Sequence, residues 1–195
     1  MKLEIDNTSE KIIKASLIVL KKEGFTKATT KKIAAEAGVN EITIFRKFEN
    51  KKNLIDATKE YHLKNILEKL DDIFDFSEDE DIEEFLRISF FGILNLEEDD
   101  FNIIRIAMEE VRDVDDEFLI SKITDTILNK LEAFFHLQKD KGLIKDINTK
   151  SLSVMCYSSL FQSVILWKIY DKSLGFETNY YVDDLLKIFL EGILA

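Results

Sequence analysis

No proline occurs anywhere in this chain of 195 residues, and glycine occurs only six times. Proline is destructive inside a helix, because it lacks an amide hydrogen and its ring collides with the preceding turn. Long helices joined by short turns tolerate its absence. An all-β chain full of tight turns draws heavily on glycine, so six argue against that class. Hydrophobic residues make up 46% of the chain, enough for a sizeable core, which excludes a wholly disordered protein.

Apolar residues recur at three- and four-residue spacing along the chain, and caps divide them into about nine helices. Asn7 and Glu10 stand at capping-box spacing ahead of Ile12, Ile13, Leu17 and Leu20, and Gly24 is a natural end. A second helix is expected over 31–37, capped by Thr30 and ended by Gly38. Asn40 caps a third over 41–47, and Asn50 a long fourth to about Phe74. Ser77 and Glu80 form another capping box, opening a helix to about Leu96. Further helices are expected over about 101–112, from a cap at Asp115 to Lys141, from Asn148 or Thr149 to Lys172, and over about 178–193. No strand is expected. The fold class is all-α: an N-terminal three-helix domain over residues 1–50, then a helical domain over residues 51–195.

One stretch of the first domain carries chemistry. Residues Thr29 to Lys51 read TTKKIAAEAGVNEITIFRKFENK. A short helix, an Ala-Gly-Val turn and a second helix bearing aromatic and basic residues is the layout of a helix-turn-helix. Its second helix enters the DNA major groove. Ile33, Ala37, Val39, Ile44 and Phe48 are read as its core. Arg46 offers a fork that can bond guanine O6 and N7 or clamp a phosphate. Thr43 can bond a base edge or touch a thymine methyl, and Glu41 can accept from cytosine N4. Thr29, Thr30, Lys47, Lys51 and Lys52 suit phosphates, as hydroxyls, ammoniums and helix N-termini do.

The charge of the chain is divided unevenly. Residues 1–60 hold 13 Lys+Arg against 9 Asp+Glu, and residues 61–195 hold 14 against 29. A mildly basic head on an acidic body fits a DNA reader whose body is held off the phosphates, and it also fits a solvated acidic surface with chance asymmetry. Cys156 is the only cysteine, so no intrachain disulfide and no cysteine-cluster zinc site can form. His62 and His136 sit in no HExxH-like pattern. The start of the chain is polar and acidic, unlike a signal peptide, and no run of about 18 apolar residues predicts a membrane helix. A soluble, cytoplasmic protein is expected. No nucleophile–base pair, metal cluster or glycine-rich phosphate loop is found, so neither an enzyme nor a cofactor is expected.

The residues Thr29, Ile33, Ala34, Ala37, Gly38, Val39, Thr43, Phe45, Phe48, Lys51 and Leu54 resemble the core motif of the tetracycline-repressor (TetR) family of bacterial transcriptional regulators. The chain departs from that motif at Asn40, where a serine is usual; at Ile42, often glycine; at Phe45, often tyrosine; and at Arg46, where a second tyrosine often stands. The departures shift part of the DNA contact from hydroxyl to guanidinium, and Asn40 and Phe45 complete the DNA-facing set. The resemblance implies a dimer formed by the last two helices and their copies, here through Leu160, Ser163, Val164, Val182, Leu186, Phe189 and Leu190. It also implies a ligand pocket among the fourth to eighth helices, for which Phe91, Arg105, Met108, Phe134, Tyr157, Gln162 and Trp167 are candidates. His136 reads as a surface residue and Cys156 as a small core filler. The implied function is a ligand-responsive regulator, a repressor that binds a palindromic operator in double-stranded DNA as a homodimer and is released by a small, mostly apolar effector. The alternative is a regulator of the same fold that is switched by a protein partner or does not bind DNA.

Overall fold

The computed structural model describes residues 6–109, 119–172, 175 and 177–195. Among them are nine α-helices: α1 (Asn7–Lys27), α2 (Thr30–Ala37), α3 (Glu41–Phe48), α4 (Lys51–Ile73), α5 (Ile82–Leu94), α6 (Glu98–Glu109), α7 (Leu119–Asp140), α8 (Thr149–Val164) and α9 (Thr178–Ile193). A π-helical turn, Ile165–Ile169, continues α8. No strand occurs among the described residues; one antiparallel bridge joins Ile144 to Leu194. The all-α class holds. The expected cap at Asp115 lies outside the described residues.

Capping oxygens explain where the helices begin and where the sequence reading misses. Asn40, Asn50 and Asn148 each accept a backbone amide of the helix that follows, at 2.9 Å from Ile42, Asn53 and Ser151. The cap of α1 is Asp6, which accepts the Ser9 amide at 2.8 Å, and not Asn7. The cap of α2 is Thr29, one residue before the expected Thr30. Helix α5 starts behind Asp81, whose carboxylate takes the Glu84 amide at 2.9 Å. Ser77 bonds the Glu80 side chain within the preceding turn instead of opening the helix. Helix α6 starts at Glu98, earlier than expected, because three successive acids there complement the positive end of a helix. Gly38 closes α2 at φ 65, so that its own amide and that of Val39 return to the Ala35 and Ala34 carbonyls.

The chain divides into two compact units. The first holds residues 1–66 and 98–112, the second residues 67–97 and 113–195. The packing boundary falls inside α4, and α6 joins the first unit. Contacts between α1 and α6 carry that partnership, with the Glu98 carboxylate accepting Lys21 at 3.0 Å and Arg105 at 3.1 Å. The core of the first unit is built from Ile12, Ile13 and Leu17 of α1, Ile33 and Ala34 of α2, Ile44 and Phe48 of α3 and Leu54 of α4. Ala37 and Val39 are only half-buried.

The second unit is centred on aromatics. Phe85 stacks on Phe134 with ring centroids 3.8 Å apart, and Phe76 and Phe135 meet Phe134 edge-on. Such pairs add about 0.5–1.5 kcal/mol each beyond area burial. Helix α8 packs on α7 and α5. The Tyr157 and Thr124 hydroxyls share a hydrogen bond of 2.7 Å across the first of these contacts. The stretch Thr149–Ile169 has the length and mean hydropathy (1.3) to cross a membrane, which the sequence reading did not anticipate. Here its Leu152, Cys156, Leu160 and Val164 are buried. The chain end is tied down by Lys145, whose ammonium caps α9 at the Gly192 carbonyl, 2.9 Å away.

Candidate nucleic-acid interface

Helix α3 is eight residues long and is held from below by Ile44 and Phe48, both buried. That fixes its opposite face outward. The exposed side chains there are Ile42, Phe45 and Arg46. Arg46 has no hydrogen-bond or ion-pair partner among the described residues, and the same is true of Lys52 at the start of α4. Thr43 is half-buried beside them.

Other candidate contacts are already engaged within the unit. Thr30 donates its hydroxyl to Glu41 Oε1 at 2.7 Å. Thr29 and Asn40 spend their side-chain oxygens as helix caps. Lys51 donates to the Phe25 carbonyl at 2.7 Å, where α1 ends. Lys47 makes a two-pronged ion pair with Asp6, at 2.7 and 2.9 Å, and its side chain is 18% exposed. The Lys47 ammonium, aided by the Ser9 amide, holds the Asp6 carboxyl well below the usual carboxylate range. Thus Arg46 and Lys52 are unengaged donors among the described residues, whereas Lys47 and Lys51 each hold a partner within the unit. The sequence reading missed Asp6, because no local pattern links it to a lysine 41 residues on.

The two other groups of candidates fare differently. Leu160, Ser163, Val164, Val182, Leu186 and Leu190 are buried within the single chain, and Phe189 is half-buried. These side chains pack against neighbouring elements of the same chain. Outward residues of the same helices include Ser151, Val154, Met155 and Ser158 of α8 and Ile188 of α9. Met155 is 60% and Ile188 71% exposed.

Of the ligand candidates, Phe134 is locked in the aromatic core and Gln162 is exposed. Arg105 and Met108 belong to the first unit, and the remainder to the second. Trp167 meets Tyr181 edge-on at 4.8 Å. A crevice of about 10 Å³ in the second unit is lined by Leu86, Phe90, Cys156, Ser159, Leu185 and Phe189. Burial pushes the Cys156 thiol up to about 12. His136 is exposed, 3.3 Å from Asp140. Among the described residues, no cluster of three or more His, Cys, Asp or Glu is placed to hold a metal ion.

Residues 12–58 match the family model for bacterial regulatory proteins of the tetR family. Over 58 residues the chain is 43% identical to the uncharacterized HTH-type transcriptional regulator YvkB of Bacillus subtilis (strain 168), covering 30% of this chain and 31% of that one. Over 185 residues it is 23% identical to the fatty acid metabolism regulator protein of the same strain, covering 93% of each. A crystal structure of the transcriptional regulator FadR from Bacillus subtilis in complex with stearoyl-CoA shares the fold, with a TM-score of 0.69 and 20% identity over 94% of this chain and 98% of that one.

Proposed function

This chain belongs to the TetR family of bacterial transcriptional regulators, and on that premise we propose that it is a cytoplasmic DNA-binding repressor, not an enzyme, acting as a homodimer that an apolar effector releases from its operator. The observation that carries the reading is the outward face of α3, where an unpartnered Arg46 stands clear of the engaged charges around it. A guanidinium in that state suits guanine O6 and N7 in the major groove. Lys52 supplies a phosphate contact, and Lys47 and Lys51 add others by exchange. The functional division is a DNA-binding part within residues 1–50 and an effector and dimer part beyond it.

A second copy would meet the outward stripe Ser151, Val154, Met155 and Ser158 of α8, together with Ile188 of α9. The i, i+3, i+4, i+7 spacing of the four α8 residues makes one continuous face, and the small serines allow close approach. A two-fold dimer pairs this face with itself and presents two reading heads to a palindrome.

For the effector we take a long-chain acyl thioester, because the full-length relative is by name a regulator of fatty acid metabolism and FadR carries stearoyl-CoA. The interior of the second unit is apolar and aromatic, and Gln138 lies fully buried with neither amide atom hydrogen-bonded, a polar group an apolar ligand's carbonyl can use. The crevice of about 10 Å³ is far below the roughly 300 Å³ of a ligand pocket. Loading therefore requires α5, α8 and α9 to part, and the effector acts by preferring the parted arrangement.

Fluorescence anisotropy on the DNA upstream of the protein's own gene tests the reading. The protein is expected to bind as a dimer, and stearoyl-CoA to release it while stearate and coenzyme A alone do not. Binding that no acyl-CoA weakens would sink the effector class. A chain that sediments as a monomer while binding DNA would sink the dimer.

A further inference from the structure

We infer that Ile42 is a specificity residue that seats against a thymine methyl group in the major groove. The inference rests on the DNA-binding reading above and adds a base identity to it. Ile42 is the second residue of α3, and 73% of its surface is exposed. Phe45, one turn on, is 47% exposed. Together they form an apolar ridge on the same outward face as Arg46, which follows Ile42 at i+4. The charges flanking that ridge are drawn away from it: Glu41 is taken by Thr30, and Lys47 by Asp6. What projects freely from the first turns of α3 is a branched hydrocarbon followed by a guanidinium.

The major groove offers only one apolar group. Guanine, adenine and cytosine present hydrogen-bond donors and acceptors there, while thymine adds its C5 methyl. A polar base edge opposite Ile42 loses water and gains nothing; a thymine methyl and the Ile42 side chain exclude water from each other. Base contacts of a recognition helix come from its N-terminal residues, where Ile42 stands. Four residues of helix separate Ile42 from Arg46 by about 6 Å, or about two base-pair steps of 3.4 Å. The thymine therefore lies within about two base pairs of the base that Arg46 reads.

The test begins with duplexes that the parent protein selects from a random-sequence pool. Each thymine of the selected half-site is then replaced by deoxyuridine, which removes the methyl and keeps the pairing. One such replacement is expected to weaken the parent about fourfold per half-site, the effect of one buried methyl lost. Ile42→Ala is expected to bind the thymine and uracil duplexes alike, and Ile42→Val to keep part of the difference. Ile42 is exposed, so these variants fold as the parent does. A parent that binds every uracil duplex as tightly as its thymine counterpart overturns the inference and leaves DNA reading intact. So does an Ile42→Ala protein that discriminates as the parent does. If the parent enriches no sequence at all, the DNA-binding reading falls, and this inference with it.

Discussion

The Thr30 hydroxyl donates to Glu41 Oε1 at 2.7 Å, joining the first residue of α2 to the first residue of α3. The two helices of the helix-turn-helix are thereby pinned at their N-termini, on either side of the Gly38 turn. Glu41 acts as a brace, with one carboxylate oxygen engaged by Thr30. Glu41→Ala is expected to lower stability by about 0.5–1.5 kcal/mol, the net worth of one such bond. Base preference should be unchanged. Relaxed discrimination at a cytosine, with unaltered thermal stability, would return Glu41 to base reading.

Asp6 and Lys47 form a second internal tie, one that DNA displaces in the proposed reading. Asp6→Asn keeps an oxygen to cap α1 and frees the Lys47 ammonium. The variant is expected to bind DNA about threefold more tightly at moderate salt, as an exposed ion pair of this kind is weak. The carboxyl of Asp6 is depressed by Lys47, so the tie is present above the ordinary carboxylate pKa of about 3.9. It is lost only as pH falls through the lower folded value. The advantage of Asp6→Asn should therefore stay constant from about pH 5 to 9. Unchanged affinity across that range would mean that Lys47 remains with α1 on the DNA.

Glu49 joins α3 to α4 at φ 65 and ψ −45, and the Asn50 amide closes a tight turn on the Phe48 carbonyl at 2.7 Å. A γ-turn of that hand is strained for a residue with a Cβ. Glu49→Gly relieves the strain, against about 0.5–1 kcal/mol of added freedom in the unfolded chain. The net expectation is a gain of about 1 kcal/mol, or about 2–4 °C in melting temperature. A lower melting temperature would show that the Glu49 side chain does more than occupy a corner.

Cys156 is fully enclosed, with its thiol pushed up to about 12 by burial. An unfolded thiol titrates near about 8.5. The unfolded state thus loses its proton first, and stability should fall as pH rises from about 8.5 towards 12, by up to about 1.4 kcal/mol per pH unit. Below pH 8 this group contributes no slope. Cys156→Ala should remove that part of the alkaline decline, measured by urea denaturation of both proteins at each pH. Identical slopes would mean that the thiol is reached by solvent.

The sequence makes the helices and the reading motif legible because both rest on local patterns. Caps at Asn40, Asn50 and Asn148 and the glycine at 38 act within one turn of the chain. Partnerships across the chain leave no such mark. The pairing of α6 with α1 through Glu98, and of Lys47 with Asp6, joins residues that no periodicity connects. In the last two helices the most apolar stripe, including Leu160, Val182 and Leu186, is buried within the chain, because a helix turns its most apolar side to its own core first. The outward residues Met155 and Ile188 look like interruptions in the sequence.

Arg46 is a free cation on the proposed reading face among the described residues. The most direct measurement is the ratio of specific to non-specific DNA affinity, at one salt concentration, for the parent and Arg46→Ala. Loss of a guanine contact should lower that ratio about 10- to 100-fold, with a smaller change in non-specific binding. An unchanged ratio would contradict the assignment of α3 as the helix that reads the operator.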